Sequence, residues 1–197
     1  MNKELSEVSK FLSYVLRHEP QAIGLTLSQE GWAIISDLIA CATSNGKLLT
    51  QALILSVVET NDKKRFEISS DKLQIRAVQG HSVQSVNISY APAIPPEILY
   101  HGTATRFLDS INSKGLLSGS RQHVHLSQTV QTALTVGQRH GKSVVLEIKA
   151  QLMHQQGFVF FQAPNGVWLT NHVPVEFLSP TNSADSAATS KQPKLSK

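Results

Sequence analysis

The sequence predicts an α+β protein, with a helical first half closed by a β-hairpin and a mainly β second half. Three observations predict it. Apolar residues recur at helical spacing in three early segments. Two short alternating segments then flank a Ser69-Ser70-Asp71 turn. Beyond Pro92, Pro95 and Pro96, strand-like segments outnumber helical ones. At 197 residues, the chain suits one domain or two small ones sharing an interface.

The first helix covers residues 4–17, where Leu5, Val8, Leu12 and Val15/Leu16 form one stripe. Pro20 bars its continuation, so Arg17 and His18 fall at a helix C-terminus. A second helix is predicted from Ser36 as N-cap, followed by Asp37, to Asn45-Gly46. A third runs over residues 50–59, with Leu53, Ile54, Val57 and Val58 on its apolar side. Strands at 65–68 and 73–77 follow. Three helices and a hairpin are the order of a winged-helix module. The prolines place a domain boundary near residue 92. Strands are then expected at 98–101, 124–126, 143–149, 158–162, 167–170 and 175–178. Helices are expected at 105–113, ended by Gly115, and at 129–139, ended by Gly141. Residues 181–197 are Ser/Ala/Lys-rich without aromatics and are expected to be disordered.

The formal net charge of +4 is unevenly placed. Residues 1–90 carry nine Lys/Arg against nine Asp/Glu, and residues 91–197 carry nine against five. A global basic balance therefore does not announce nucleic-acid binding, and any such argument must rest on particular residues. No apolar run reaches membrane-spanning length, and the N-terminus lacks a signal-peptide core, so the chain reads as cytoplasmic. The single cysteine, Cys41, leaves no internal disulfide and no multi-cysteine zinc site, and buried packing is expected of it.

Several strings carry polar chemistry. Arg17-His18 fits an anion grip, or a cationic helix end complementing the dipole. Lys63-Lys64-Arg65 at the hairpin base fits phosphate contact or a solvated turn. Gln79-Gly80-His81-Ser82 follows the second hairpin strand, and its glycine admits a ligand's close approach or simply makes the turn. His101-Gly102-Thr103 closes a strand before a helix, where ligand contacts or a capping turn both fit. In Arg121-Gln122-His123-Val124-His125-Leu126-Ser127, both histidines share one strand face while Val124 and Leu126 face the core. Too few carboxylates and no cysteine accompany that H-x-H in the second half to complete a metal site, so polar ligand binding is preferred. Asn165-Gly166 signals a type I′ hairpin. Trp32 and Trp168 read as core.

Jointly these strings resemble the tRNA 2′-phosphotransferase family from about Ser6 to Leu178. The strings that match, in order and spacing, are FLSYVLRHEP, EGWA, DKKRFEIS, IRAVQGHS, LYHGT, RQHVHLS, VGQRHG, NGVWLT and VPVEFL. The resemblance implies a winged-helix lobe over residues 1–91, an ADP-ribosyltransferase-like lobe over 92–180 and an active site in the cleft between them. It implies an NAD⁺-dependent enzyme that removes a 2′-phosphate from RNA in two steps. The phosphate attacks C1″ of the nicotinamide ribose and expels nicotinamide. The ribose 2″-OH then attacks phosphorus, leaving 2′-OH RNA and ADP-ribose 1″,2″-cyclic phosphate. The family's catalytic residues map onto Arg17, His18, Arg65 and Arg121, and its NAD⁺ contacts onto His101, Gly102, Thr103 and Ser127. Such an enzyme needs no metal and is expected to act as a monomer. The stretch 165–170 contains no acid, in keeping with an acceptor that is already an anion. Two rivals are an ADP-ribosyltransferase that stops after the first step, capping phosphates, and a non-catalytic winged-helix RNA-binding protein.

Overall fold

A computed structural model describes residues 3–181. The expected disorder of the C-terminal tail falls, apart from Thr181, outside the described residues. In chain order the elements are α1 (Lys3–Arg17), β1 (Trp32–Ile34), α2 (Ile35–Ser44), α3 (Gln51–Glu59), β2 (Phe66–Ile68) and β3 (Gln74–Ala77). There follow β4 (Leu99–Ala104), α4 (Leu108–Lys114), β5 (Leu116–Leu117), β6 (Val124–Leu126), α5 (Val130–Gly137), β7 (Ser143–Ile148), α6 (Ala150–Gln155), β8 (Phe160–Gln162), β9 (Trp168–Thr170), β10 (His172–Val173) and β11 (Leu178–Pro180). The protein is α+β, with antiparallel pairing in every sheet. Among the described residues no helix is long and apolar enough to cross a membrane.

The apolar stripe of α1 is buried as its spacing demands: Val8, Leu12, Val15 and Leu16 join Leu38, Ile54, Val57, Phe66 and Ile75 in one cluster. The helix closes where Pro20 forbids its next turn, and the N–H groups of His18 and Glu19 both reach back to the Tyr14 carbonyl. Thr50 caps α3, accepting a hydrogen bond from the Leu53 N–H. The hairpin β2–β3 gains a third strand, β1, in the order β1-β3-β2. Three residues are too few to show a period, so β1 leaves no pattern to read in advance. Helix α2 also departs from expectation. Its cap is Ile34, and Ser36 lies inside the first turn, because the strand β1 runs directly into the helix.

A second buried cluster joins Leu99, Val124, Leu126, Leu146, Ile148, Met153, Phe160, Trp168 and Phe177. It lies under two three-stranded sheets, β11-β7-β4 and β6-β9-β8. Among the described residues the two sheets are bridged at one point, where Tyr100 and Ser127 exchange backbone hydrogen bonds of 2.8 Å in each direction. Beyond it no ladder joins β4 to β6 among the described residues; β4 pairs with β7 and β6 with β9.

Four local expectations fail. Residues 175–177 form a 3₁₀ turn headed by Pro174, and the strand starts only at Leu178. The β8–β9 loop is not type I′. Only Gly166 has positive φ (80°), and the Gly166 N–H bonds the Ala163 carbonyl while the Ala163 N–H bonds the Val167 carbonyl, a type I turn with a glycine bulge. Trp32 is half-buried rather than core, its ring covered by the Arg76 guanidinium at 4.5 Å. Cys41 is likewise only half-buried. Trp168 is buried as expected.

The two clusters are stitched together across a seam. Asn165 donates to the Lys63 carbonyl and the Gln122 amide to the Val86 carbonyl. The rings of Tyr90, His123 and Phe161 pack edge to face in the same seam.

Candidate active site

Arg17 and His18 end α1 beside the segment that follows β3. The Ser82 N–H donates to the Arg17 carbonyl (2.9 Å), and the Ser82 hydroxyl pairs with His18 Nδ1 (2.9 Å), fixing the imidazole. Gly80, at φ 87°, lets the chain turn under the Arg17 guanidinium. A side chain there would begin 3.8 Å from both Arg17 Nη1 and His125 Nε2, which locates His125 against the same spot from the other side of the seam. Arg17 Nε and His125 Nε2 are both buried without a hydrogen-bond partner.

Arg65 is delivered by a tight turn. Asn61 is buried, and its Oδ1 accepts from the Lys63 N–H (3.1 Å) and from Arg65 Nη1 (3.2 Å), while its Nδ2 donates to Ser9 Oγ (3.2 Å). Lys64 closes the turn in the left-handed region, at φ 41°, which a lysine adopts only under constraint. The Arg17 guanidinium reaches the Arg65 carbonyl at 3.5 Å. Arg121 approaches from the loop before β6, its N–H bonded to the Ser118 carbonyl.

The charges of these groups are felt mutually. Burial first, then the like charges of Arg65 and Arg121, push the Arg17 guanidinium down to about 10, which still leaves it a cation at neutral pH. Burial, then Arg121 and Arg17, hold His18 below its ordinary value. Burial, then the same two arginines, push His125 down to about 3. Beneath them His81, buried against Gly31, is pushed down to about 4 by burial and then by Arg17 and His18. Arg139, just after α5, lies within charge–charge reach of Lys63, Arg65 and Arg121. The ion pairs of Arg76 with Glu30 and Glu67 lie outside this cluster. Among the described residues none of the Arg17, Arg65 and Arg121 guanidinium groups is ion-paired, Glu19 lies within charge–charge reach of His18, and burial with the neighbouring arginines favours the neutral form of the histidines.

Arg17, His18, Arg65 and Arg121, singled out from scattered strings, therefore share one electrostatic site. The second set divides. His101 and Ser127 stand at the bridge between the two sheets, and His101 Nδ1 pairs with the His125 carbonyl at 3.0 Å. Gly102 is accounted for by packing: a Cβ there would fall 1.7 Å from the Ala133 carbonyl of α5. Thr103 is buried beside it. Among the described residues no group of three or more His, Cys, Asp or Glu side chains is placed to hold a metal ion. Two neighbours of the cluster were missed in sequence. Asn61 gave no signal, because its partner Ser9 lies 52 residues away. Arg139 was visible in VGQRHG but read only as a helix end.

Three guanidinium groups within charge–charge reach of one another, none ion-paired among the described residues, form a strongly cationic cluster in a seam between two halves of an α+β chain. The comparisons with known proteins give the chain its family. The RNA 2′-phosphotransferase, Tpt1 / KptA family matches residues 3–172. Proteins bearing the name "Probable RNA 2′-phosphotransferase" are similar over nearly their whole length. The Pectobacterium carotovorum protein is 63% identical over 180 residues, covering 91% of this chain and 97% of its own. The Pseudomonas aeruginosa protein is 61% identical over 176 residues, covering 89% and 97%. The Escherichia coli protein is 60% identical over 176 residues, covering 89% and 96%. The chain belongs to the RNA 2′-phosphotransferase family and is an enzyme of it.

Proposed function

We propose that the chain removes the 2′-phosphate of RNA by transferring it to NAD⁺, with Arg17, His18, Arg65 and Arg121 as the catalytic residues. The observation that carries this reading is the cluster of guanidinium groups, none of them ion-paired to a carboxylate among the described residues. Left alone such a cluster is repulsive, and a dianionic phosphate ester is the ligand that relieves it. Residues 1–91 act as a winged-helix lobe that holds RNA, and residues 92–180 as an ADP-ribosyltransferase-like lobe that holds NAD⁺. For the latter, the opening where β4 and β6 share no ladder beyond the Tyr100–Ser127 bridge offers main-chain donors and acceptors to a ligand amide. His101, Gly102, Thr103 and Ser127 frame that opening, Gly102 by letting α5 close on the strand.

NAD⁺ supplies a ribose carbon as electrophile and the neighbouring hydroxyl as second nucleophile. In the first step the RNA 2′-phosphate is itself the nucleophile, so Arg17, His18 and Arg65 need only hold it in line. In the second step phosphorus becomes the electrophile, and Arg65 and Arg121 neutralise charge on its oxygens. His18 enters neutral, held by the Ser82 hydroxyl, and can take a proton from the attacking hydroxyl. The test is to incubate the protein with a 2′-phosphorylated oligoribonucleotide, with and without NAD⁺, in EDTA. Loss of the 2′-phosphate only with NAD⁺, undiminished by EDTA, is expected. Phosphate release without NAD⁺, or inactivity caused by chelation, contradicts the reading.

A further inference from the structure

One face of α1 points away from the core and runs into the cluster. Ser6, Ser9, Lys10, Ser13 and Tyr14 line a groove of about 320 Å³ that ends at His18 and Arg65. Its floor is fixed: the Ser13 hydroxyl donates to the Ser9 carbonyl, and Ser9 is tied through Asn61 to Arg65. No carboxylate lines it. Lys10 is exposed and Tyr14, the groove's single aromatic, is 48% exposed. Tyr14 lies one helical turn, about 6 Å, before His18, and Lys10 one turn further out.

A cation, hydroxyls and one solvent-facing ring in line are what single-stranded RNA uses: a ring for a base, charge and hydroxyls for its backbone. Resting on the function proposed above, we infer that this face of α1 is the track for the RNA strand beside the 2′-phosphorylated nucleotide. Tyr14 stacks on the neighbouring base and Lys10 contacts a backbone phosphate. Every base has a π-face, so the track accepts any sequence.

The test measures binding by fluorescence anisotropy, with a labelled 2′-phosphorylated hexaribonucleotide and, by competition, a nucleoside 2′-phosphate. It needs no turnover, so it stands even if the proposed reaction fails. Tyr14→Ala should weaken the hexamer about tenfold while leaving the nucleoside 2′-phosphate within twofold, and Tyr14→Phe should bind as wild type. Lys10→Ala should flatten the salt dependence of hexamer binding by about one phosphate contact. Hexamer affinity unchanged in Tyr14→Ala overturns the track, as does equal weakening of both ligands. So does a result in which Lys63→Ala alone weakens the hexamer, since the strand would then run past Lys63 and not along α1.

Discussion

Arg76 and Arg65 stand on the two strands of one hairpin, or at its base, and live in opposite surroundings. Arg76, on the central strand β3, is flanked across the sheet by Trp32 and Glu67, its registered neighbours. Its guanidinium pairs with Glu67 at 2.9 Å, with Glu30 at 3.6 Å, and lies over the Trp32 ring. The Arg65 guanidinium has no carboxylate partner: it donates to the Asn61 amide oxygen at 3.2 Å, while the Arg65 carbonyl accepts from the Val78 N–H and from the Arg17 guanidinium. The two sites separate two uses of one side chain. A guanidinium answered by carboxylates holds a sheet together, whereas one answered only by amides, beside more guanidinium groups, is held ready for an anion that comes from outside.

The contrast is tested most severely in the cluster. Arg65→Ala or Arg121→Ala should slow the second chemical step by on the order of 10²-fold, about 3 kcal/mol, more than the first, because charge must be neutralised when phosphorus is attacked. A gel time course with end-labelled 2′-phosphate RNA should therefore show 2′-phospho-ADP-ribosylated RNA accumulating. Slower substrate consumption with no intermediate would place these arginines in binding or in the first step.

Next comes the floor of the site. His81 is buried and its imidazole lies at about 4, against 6.5 unfolded, with burial the main cause. A lowered histidine value favours the neutral native form, so this contribution is complete above pH 6.5 and is lost as pH falls towards 4. It amounts to on the order of 3 kcal/mol. Urea midpoints measured from pH 7 down to 4.5 should fall, and His81→Leu should flatten that slope. An equal slope in the variant would remove His81 from the account.

Asn61 tests whether the turn aims Arg65. Asn61→Ala should lower turnover about tenfold, through the lost hydrogen bonds to Arg65 and to the Lys63 N–H. Wild-type turnover in a folded variant would show that Arg65 aims itself. The smallest effect sharpens the comparison directly. Arg76→Ala should lose about 1 kcal/mol of stability with kcat unchanged. Arg17→Met should lose activity yet unfold at equal or higher urea, because it removes an unanswered cation.

What could be read in the sequence follows from how local each cause is. The stripe of α1, the Thr50 cap and the stop at Pro20 are settled within a few residues of themselves, and with them the position of Arg17-His18. Alternation in Val124-His125-Leu126 placed both histidines off the core, with Val124 and Leu126 buried. The rest depends on distant partners. Gly102 had two local explanations, a ligand's approach or a capping turn, and the fold adds a third that no local pattern shows, the close packing of Ala133 of α5, 31 residues on. β1 exists because β3 has a free edge for it. Val175 to Phe177 look like a strand until Pro174 sets the first turn.

The central claim is that the cluster is a receptor for the 2′-phosphate itself. The direct measurement is the affinity of two oligoribonucleotides, identical except that one carries the 2′-phosphate, for the wild type and for Arg17→Ala without NAD⁺. The account predicts at least about tenfold tighter binding of the phosphorylated strand by the wild type, and a much smaller preference in Arg17→Ala. Equal affinity of the wild type for both strands would contradict it.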